Sequence, residues 1–232
     1  MNLVEDFVAL FYPRCCFACS EPLAKGEELL CSRCLVQLPK TSYHRWRDNP
    51  VWGRLAGRLP VEFAFAFLKF LKGGIVQNLL HELKYNNRPE IGVRIGGLYG
   101  QELADAGYGK NFDVIVPVPL HRSRLRKRGY NQSAKFAEGL AEALGVPWEE
   151  SISLRLQATT TQTRKGRADR WQNVRSAFST AESEKIRGKR ILLVDDVITT
   201  GATLDACARV LRAAGAADVR ALTAARVASG PR

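Results

Sequence analysis

The sequence contains no apolar run of the roughly 18 residues that a membrane-spanning helix needs. Its most apolar stretch covers residues 63–71, and Lys69 and Lys72 interrupt it. The first residues include two acids, Glu5 and Asp6, where a secretory signal peptide carries positive charge. These absences argue against a membrane span and against secretion, so we expect a cytoplasmic protein.

Acidic residues are scarce relative to basic ones. The chain has 35 Lys and Arg residues against 23 Asp and Glu residues, for a net charge of +12 and a pI near 9.7. Such an excess favours nucleic acid or phosphorylated metabolites as partners, although a basic surface without a specific partner has the same composition. The length of 232 residues suits one domain of about 150 residues and a small appendage.

Five of the six cysteines lie between residues 15 and 34. Cys16 and Cys19 form one Cys-x2-Cys pair and Cys31 and Cys34 a second, a spacing at which four thiolates can bind structural Zn²⁺. Disulfides are the alternative, which a reducing compartment disfavours. Cys15 could replace Cys16 as the first ligand. Four cysteine ligands leave no open coordination position, so this zinc module is expected to be structural rather than catalytic.

Residues 35–60 contain several prolines and glycines and are predicted to form a connector. Trp46 and Trp52 lie in this segment among three arginines, Arg45, Arg47 and Arg54. Interleaved aromatic and arginine side chains can stack on the bases of single-stranded nucleic acid. The alternative is that the tryptophans pack the zinc module against the main domain.

The most informative segment covers residues 189–206. Residues 191–194 are an apolar run typical of a buried strand, and the carboxylates Asp195 and Asp196 follow directly. Apolar residues at helical spacing begin at Leu204. Between the acids and this helix lies a hydroxyl-rich turn that contains Thr199, Thr200, Gly201, Ala202 and Thr203.

This strand–acid–turn–helix order predicts a site for a ribose 5-phosphate. Ligands of open α/β sheets bind at the carboxyl ends of the strands, and a helix N-terminus favours an anion. Gly201 permits close approach of the backbone. The two carboxylates can accept hydrogen bonds from sugar hydroxyls, directly or through Mg²⁺. An acidic, solvated turn at a strand end is the alternative.

This segment resembles a known family. Its sequence VDDVITTGAT, at residues 194–203, is similar to the phosphoribosyl-pyrophosphate (PRPP) loop of type I phosphoribosyltransferases. The resemblance implies that Asp195 and Asp196 hold the ribose hydroxyls and that residues 199–203 wrap the 5-phosphate. It also implies Mg²⁺ as a cofactor that binds with PRPP.

The middle of the chain predicts two helices, from Gly73 to Tyr85 and over about residues 90–106, as a hood above the active-site face. Residues 113–119 are the predicted first core strand. A basic loop follows at residues 121–128 and includes Arg122 and Arg128. Its position at a strand end suits binding of diphosphate or a nucleic-acid backbone, with a solvated face as the alternative. A helix after residue 132 and a last strand at 219–225 complete the pattern.

Residues 152–157 are predicted to form a second strand, and residues 159–170 contain almost no apolar side chain. This polar segment is predicted to be a flexible cationic loop that can close over substrate. Its candidate contacts are Gln162, Arg167 and Arg170.

Taken whole, the chain resembles the ComF/ComFC family, sometimes grouped with GntX. The motifs occur in the family's order: the two Cys-x2-Cys pairs, LKY at 83–85, PVPLHRSRLRKRGYNQ at 117–132, TQTRKGRADRWQNVRSAF at 161–178 and VDDVITTGATL at 194–204. The resemblance implies an α/β type I phosphoribosyltransferase fold, a central parallel sheet flanked by helices, with an N-terminal four-cysteine zinc finger. It places a diphosphate loop at Val118, Pro119 and Leu120. It also implies single-stranded DNA and proteins of the competence machinery as partners in natural transformation.

We therefore expect residues 1–60 to hold an N-terminal helix, the zinc finger and the connector. Residues 61–232 are expected to be the phosphoribosyltransferase-like domain, with a helical hood at 61–110 and the core at 111–232. Two functional classes remain. One is an enzyme that transfers ribose 5-phosphate from PRPP to a base or amine. The other, which we favour because no residue stands out as a general base, is a DNA-uptake protein on the same scaffold.

Overall fold

The computed structural model describes residues 13–56, 61–150 and 183–227. Four strands occur in these ranges: β1 (Ala64–Phe70), β2 (Val114–Pro117), β3 (Arg190–Ile198) and β4 (Asp218–Val227). The helices are α1 (Ser32–Val36), α2 (Trp52–Leu55), α3 (Ile75–Tyr85), α4 (Pro89–Asp105), α5 (Arg122–Arg128), α6 (Gln132–Leu144), α7 (Ser183–Ile186) and α8 (Ala202–Ala213). Short 3-10 turns lie at Tyr43–Arg45 and Tyr108–Lys110.

The four strands form one sheet in the order β1-β4-β3-β2, and every neighbouring pair is parallel. Leu193 of β3 pairs with Val116 of β2 on one side and with Ala221 of β4 on the other. Residues 191–194 are fully buried, as expected for a central strand covered on both faces. The predicted α/β fold with a parallel sheet is thus confirmed, and the strand predicted at 191–194 continues through the two aspartates to Ile198.

The first part of the segment assigned to a helical hood is a strand instead. Residues 64–70 form β1, which pairs with β4 at the edge of the sheet. The first five residues of β1 are all buried, so the strand shows no alternation of polar and apolar residues. The helices that follow agree with the sequence pattern. Pro89 stands at the first turn of α4, where its missing N–H costs no intrahelical hydrogen bond.

The basic segment predicted as a loop contains helix α5. His121 caps this helix by accepting a hydrogen bond at Nδ1 from the Ser123 N–H, over 3.3 Å. Gly129 ends it in a left-handed conformation, with φ at +80°. Arginine, lysine and leucine all have good helix propensity, and this local preference outweighs the repulsion between like charges.

Helices α4 and α6 pack backbone against backbone. A Cβ on Gly139 would lie 2.0 Å from the Val93 carbonyl oxygen, and one on Gly96 would lie 2.3 Å from the Phe136 carbonyl oxygen. Because only glycine fits at these contacts, the two helices are held at one separation. The start of α6 is thereby fixed beside the carboxyl end of β3.

Residues 13–56 pack into the core of the main domain. The Asn78 side-chain amide of α3 donates to the Ala18 carbonyl over 2.8 Å, which ties the zinc module to the hood. Val51 and Leu55 are buried in a hydrophobic cluster with the sheet and α8. Within the described ranges, none of the helices combines the length and the apolar character required to cross a bilayer.

Candidate functional site

The two aspartates lie near the carboxyl end of β3, which is an interior strand between β4 and β2. Asp195 Oδ1 accepts a hydrogen bond from the Ser133 hydroxyl at 2.9 Å and another from the Asp196 N–H at 2.9 Å. Ser133 belongs to the first turn of α6, so the close packing of that helix fixes the Asp195 carboxylate. Sequence reasoning missed Ser133, because no local pattern links residue 133 to residue 195.

The second aspartate forms an ion pair with Lys84. The Lys84 ammonium lies 2.7 Å from Asp196 Oδ2, and the two side chains are only 22% and 18% exposed. Lys84 stands in the last turn of α3, within the LKY motif. The motif was noted in the sequence, but its lysine was not recognised as part of the site.

Burial and the neighbouring negative charge of Asp196 raise the pKa of Asp195 to about 7. The hydrogen bonds from Ser133 and from the Asp196 amide, together with the charge of Lys84, act in the opposite direction. The Asp195 carboxyl group therefore titrates near neutral pH, and a nearby cation would favour its ionised form.

The turn after β3 leads directly into α8. Thr199 and Thr200 are exposed, and the Thr200 hydroxyl accepts a hydrogen bond from the Ala202 N–H over 3.4 Å. Gly201 precedes α8 with φ at +83°, and a Cβ there would lie 2.3 Å from Leu55 Cδ2. The turn thus rests on the buried Leu55 side chain of the connector, a contact that sequence reasoning did not find. The N-terminus of α8 beyond Gly201 has the polarity that favours an anion.

The predicted anion-loop residues divide into two groups. Val118, Pro119 and Leu120 follow β2, and the Val118 N–H donates to the Val194 carbonyl over 2.8 Å, so this segment lies beside the start of the acid pair. The side-chain amide of Asn131 donates to the Val118 carbonyl over 3.0 Å and fixes the loop to the start of α6.

The two arginines predicted for this anion loop lie on helix α5. Arg122 is exposed there. Arg128 instead donates to the Gln132 side chain over 2.8 Å and lies over the Tyr85 ring, at the end of α3. The predicted loop contacts Gln162, Arg167 and Arg170 are outside the described residues.

The four cysteines of the zinc module come together as a candidate metal centre. The Sγ atoms of Cys16, Cys19, Cys31 and Cys34 all lie within 4.8 Å of one another, and the Cys19 and Cys31 sulfurs are 3.8 Å apart. Tetrahedral zinc–thiolate bonds of about 2.3 Å place sulfurs about 3.8 Å apart, so the cluster fits a zinc ion. The Cys31 N–H donates to Cys16 Sγ over 3.3 Å, which supports a thiolate at that ligand.

Cys15 lies outside this cluster. Its side chain is exposed, and its thiol donates to the Pro13 carbonyl over 3.5 Å. Cys16 is buried among the other three cysteines, so the structure favours Cys16 as the first ligand. Cys207 is buried in α8, as the sequence pattern indicated for a helix core residue.

The chain was compared with known proteins. The family model described as a phosphoribosyl transferase domain matches residues 131–232. The DNA utilization protein YhgH of Salmonella typhimurium is 36% identical over 145 residues, which are 61% of this chain and 63% of that relative's length. YhgH of Escherichia coli K12 is 30% identical over 231 residues, which cover 91% of this chain and 96% of the relative. The chain belongs to the ComF family.

A more distant relative supports the same grouping. The competence protein ComFC of Bacillus subtilis is 29% identical over 213 residues, covering 91% of this chain and 83% of that protein. The ComF-family chain therefore combines a phosphoribosyltransferase fold with an N-terminal four-cysteine cluster that can hold a metal ion, as the sequence predicted. Its named relatives are DNA-utilization and competence proteins.

Proposed function

We propose that this ComF-family protein binds PRPP or another ribose 5-phosphate, together with Mg²⁺, and acts in DNA uptake by handling single-stranded DNA. The observation that carries the proposal is the joint placement of an acid pair, a glycine turn and a helix N-terminus at the carboxyl end of β3. That edge of an open α/β sheet is where ligands bind. The names of the relatives support the DNA-related role.

The two ends of this site suit the two ends of the ligand. The turn at 199–203 and the first amides of α8 would receive the 5-phosphate. Asp195 and Asp196 would accept hydrogen bonds from the ribose hydroxyls. Lys84, which is 2.7 Å from Asp196, supplies a positive charge at the same edge.

Mg²⁺ fits this donor set because it prefers carboxylate and phosphate oxygens. Asp195 and Asp196 are the described residues that would hold it, with the phosphates of the ligand as further donors. The ion would neutralise the charge of a diphosphate group. The residues of the chain would orient the sugar and fix the phosphate.

Isothermal calorimetry with PRPP and MgCl₂ tests this site through Asp196→Asn. The substitution keeps the size of the side chain and removes its charge, so we expect a loss of affinity of about 10- to 100-fold, since hydrogen bonds to charged groups contribute about 1.5–3 kcal/mol. Asp105→Asn is the matched control, because Asp105 is an exposed acid at the end of α4. Equal PRPP affinity of the wild type and Asp196→Asn would contradict the assignment.

Catalytic transfer of ribose 5-phosphate is the second candidate, and the position of residues 118–120 beside β3 favours it. The Val118 N–H contacts the Val194 carbonyl at 2.8 Å, so a leaving diphosphate could lie next to the sugar. Release of diphosphate from PRPP, measured across a panel of bases with and without single-stranded DNA, separates the two candidates. Diphosphate release that depends on a base supports transfer, whereas PRPP binding without release supports the binding role.

A further inference from the structure

A cavity lies next to the acid pair, between the C-terminal end of α3 and helix α5. Its volume is about 240 Å³. The side chains that line it include Lys84, Tyr85, Arg124, Lys127, Arg128 and Tyr130. We call it the basic cleft. Lys84 lines the basic cleft and is also the ion-pair partner of Asp196, so the two sites are adjacent.

The basic cleft is positively charged, and Lys84 is its one cation that pairs with an acid of the described residues. Four of its lining residues are cations and none is an acid. Among the described residues, Arg124, Lys127 and Arg128 form no ion pair. Helix α5, with the sequence RSRLRKR, has five cations in seven residues, and like charges four residues apart on a helix repel each other. A polyanion in the cleft would relieve this repulsion.

An exposed aromatic ring lies at the rim of the same cleft. Tyr85, the last residue of α3, is 63% exposed, so its ring is accessible to a ligand. The Arg128 guanidinium carbon lies 5.5 Å from the centre of this ring, and Gln132 holds Arg128 in place. Tyr130 is fixed by a hydrogen bond from its hydroxyl to the Leu83 carbonyl. The Tyr85 ring, Arg128 and Tyr130 are thus positioned before any ligand arrives.

We propose that the basic cleft is the binding site for single-stranded DNA, with backbone phosphates on Arg124, Lys127 and Arg128 and a base stacked on Tyr85. A cationic groove with an accessible aromatic ring is the arrangement that binds single strands, because stacking needs an unpaired base. Duplex DNA offers phosphates but no free base face. The proposal rests on the proposed function and names the surface that performs its DNA-binding part.

Fluorescence anisotropy of a labelled oligothymidylate, measured with the full chain over a series of salt concentrations, tests the basic cleft. For the double variant Arg124→Ala with Lys127→Ala, we expect the slope of log association constant against log salt concentration to become about 1.4 less negative. Each lost phosphate contact with a single strand accounts for about 0.7 of this change. For Tyr85→Ala, we expect affinity to fall about 5-fold or more at an unchanged slope, and Tyr85→Phe to restore it. A duplex of the same length is expected to bind more weakly than the single strand.

The controls separate this proposal from its alternatives. Arg94→Ala with Lys110→Ala removes two exposed cations that do not line the cleft, and both affinity and slope should be retained. Arg45→Ala with Arg47→Ala tests the surface around the half-exposed Trp46. Loss of binding in that variant, with normal binding in the cleft variants, would place the DNA outside the basic cleft. This result would overturn the present inference but not the proposed function. A wild-type chain that binds no oligothymidylate would overturn the DNA-binding part of the proposed function as well, whereas PRPP binding would remain testable through Asp196.

Discussion

Replacement of Gly201 by alanine is expected to lower the free energy of unfolding by about 2–4 kcal/mol and to abolish detectable PRPP binding. The left-handed backbone at φ +83° costs an alanine about 1 kcal/mol. The new Cβ would also lie 2.3 Å from Leu55 Cδ2, and such overpacking of a buried side chain costs about 1–3 kcal/mol more. Relief of the clash would move the turn at 199–203, which we assign to the 5-phosphate. Thermal unfolding and calorimetry with PRPP measure the two effects.

Gly188→Ala provides the matched control for this prediction. Gly188 also has a positive φ, +72°, but a Cβ there would meet nothing within 4 Å. Its substitution should therefore show only the backbone cost and leave PRPP binding intact. A further test combines Gly201→Ala with Leu55→Ala, which makes room for the added methyl group. The double variant should then lose less stability than the sum of the losses of the two single variants. A loss equal to that sum would mean that the clash with Leu55 is not the cause.

Removal of zinc is expected to unfold the zinc module. The module has a small core, and structural zinc contributes about 10–16 kcal/mol of apparent binding free energy in isolated zinc-finger peptides. The purified protein should contain one equivalent of zinc, and Cys31→Ser should lose it. Cys15→Ser should keep the full equivalent, because Cys15 is exposed and lies outside the cluster. Metal analysis and limited proteolysis around residues 13–38 provide the measurements.

Loss of zinc should also have a measurable effect on residues outside the module. Asn78 of α3 donates to the Ala18 carbonyl, and the Arg88 guanidinium lies 5.1 Å from the centre of the Phe17 ring. Amide hydrogen exchange in α3 should therefore speed up when a chelator removes the metal. A zinc-free protein whose module and α3 keep their native protection would contradict a structural role for the metal.

The sequence predicted those elements of the fold that short stretches of neighbouring residues determine. The apolar run at 191–194, the following acids and the glycine turn specified strand, turn and helix, and the two Cys-x2-Cys pairs specified a cluster. Strand β1 was missed because a strand buried on both faces has no alternation of polar and apolar residues. Its sequence is an apolar run that does not by itself distinguish a strand from a buried helix. Helix α5 was missed because its run of basic residues was interpreted as an anion-binding loop, whereas the helix propensity of these residues favours a helix.

The contacts that complete the site could not be predicted, since they join residues far apart in the sequence. Lys84 meets Asp196, Ser133 meets Asp195, and Leu55 lies against Gly201. Each contact depends on how α3, α6 and the connector pack on the sheet, and no local spacing encodes that packing. The sequence did indicate that the acid pair lies near cationic segments, and the structure places Asp196 against a lysine of the basic cleft.

The strand order has a practical consequence for anyone who isolates the phosphoribosyltransferase portion. The matched region starts at residue 131, whereas β1 and β2 end before it. Because the order is β1-β4-β3-β2, a polypeptide of residues 131–232 would keep β3 and β4 of the four described strands, and each would lose its outer neighbour. Unpaired strand edges recruit other chains, so such a fragment is expected to aggregate instead of folding.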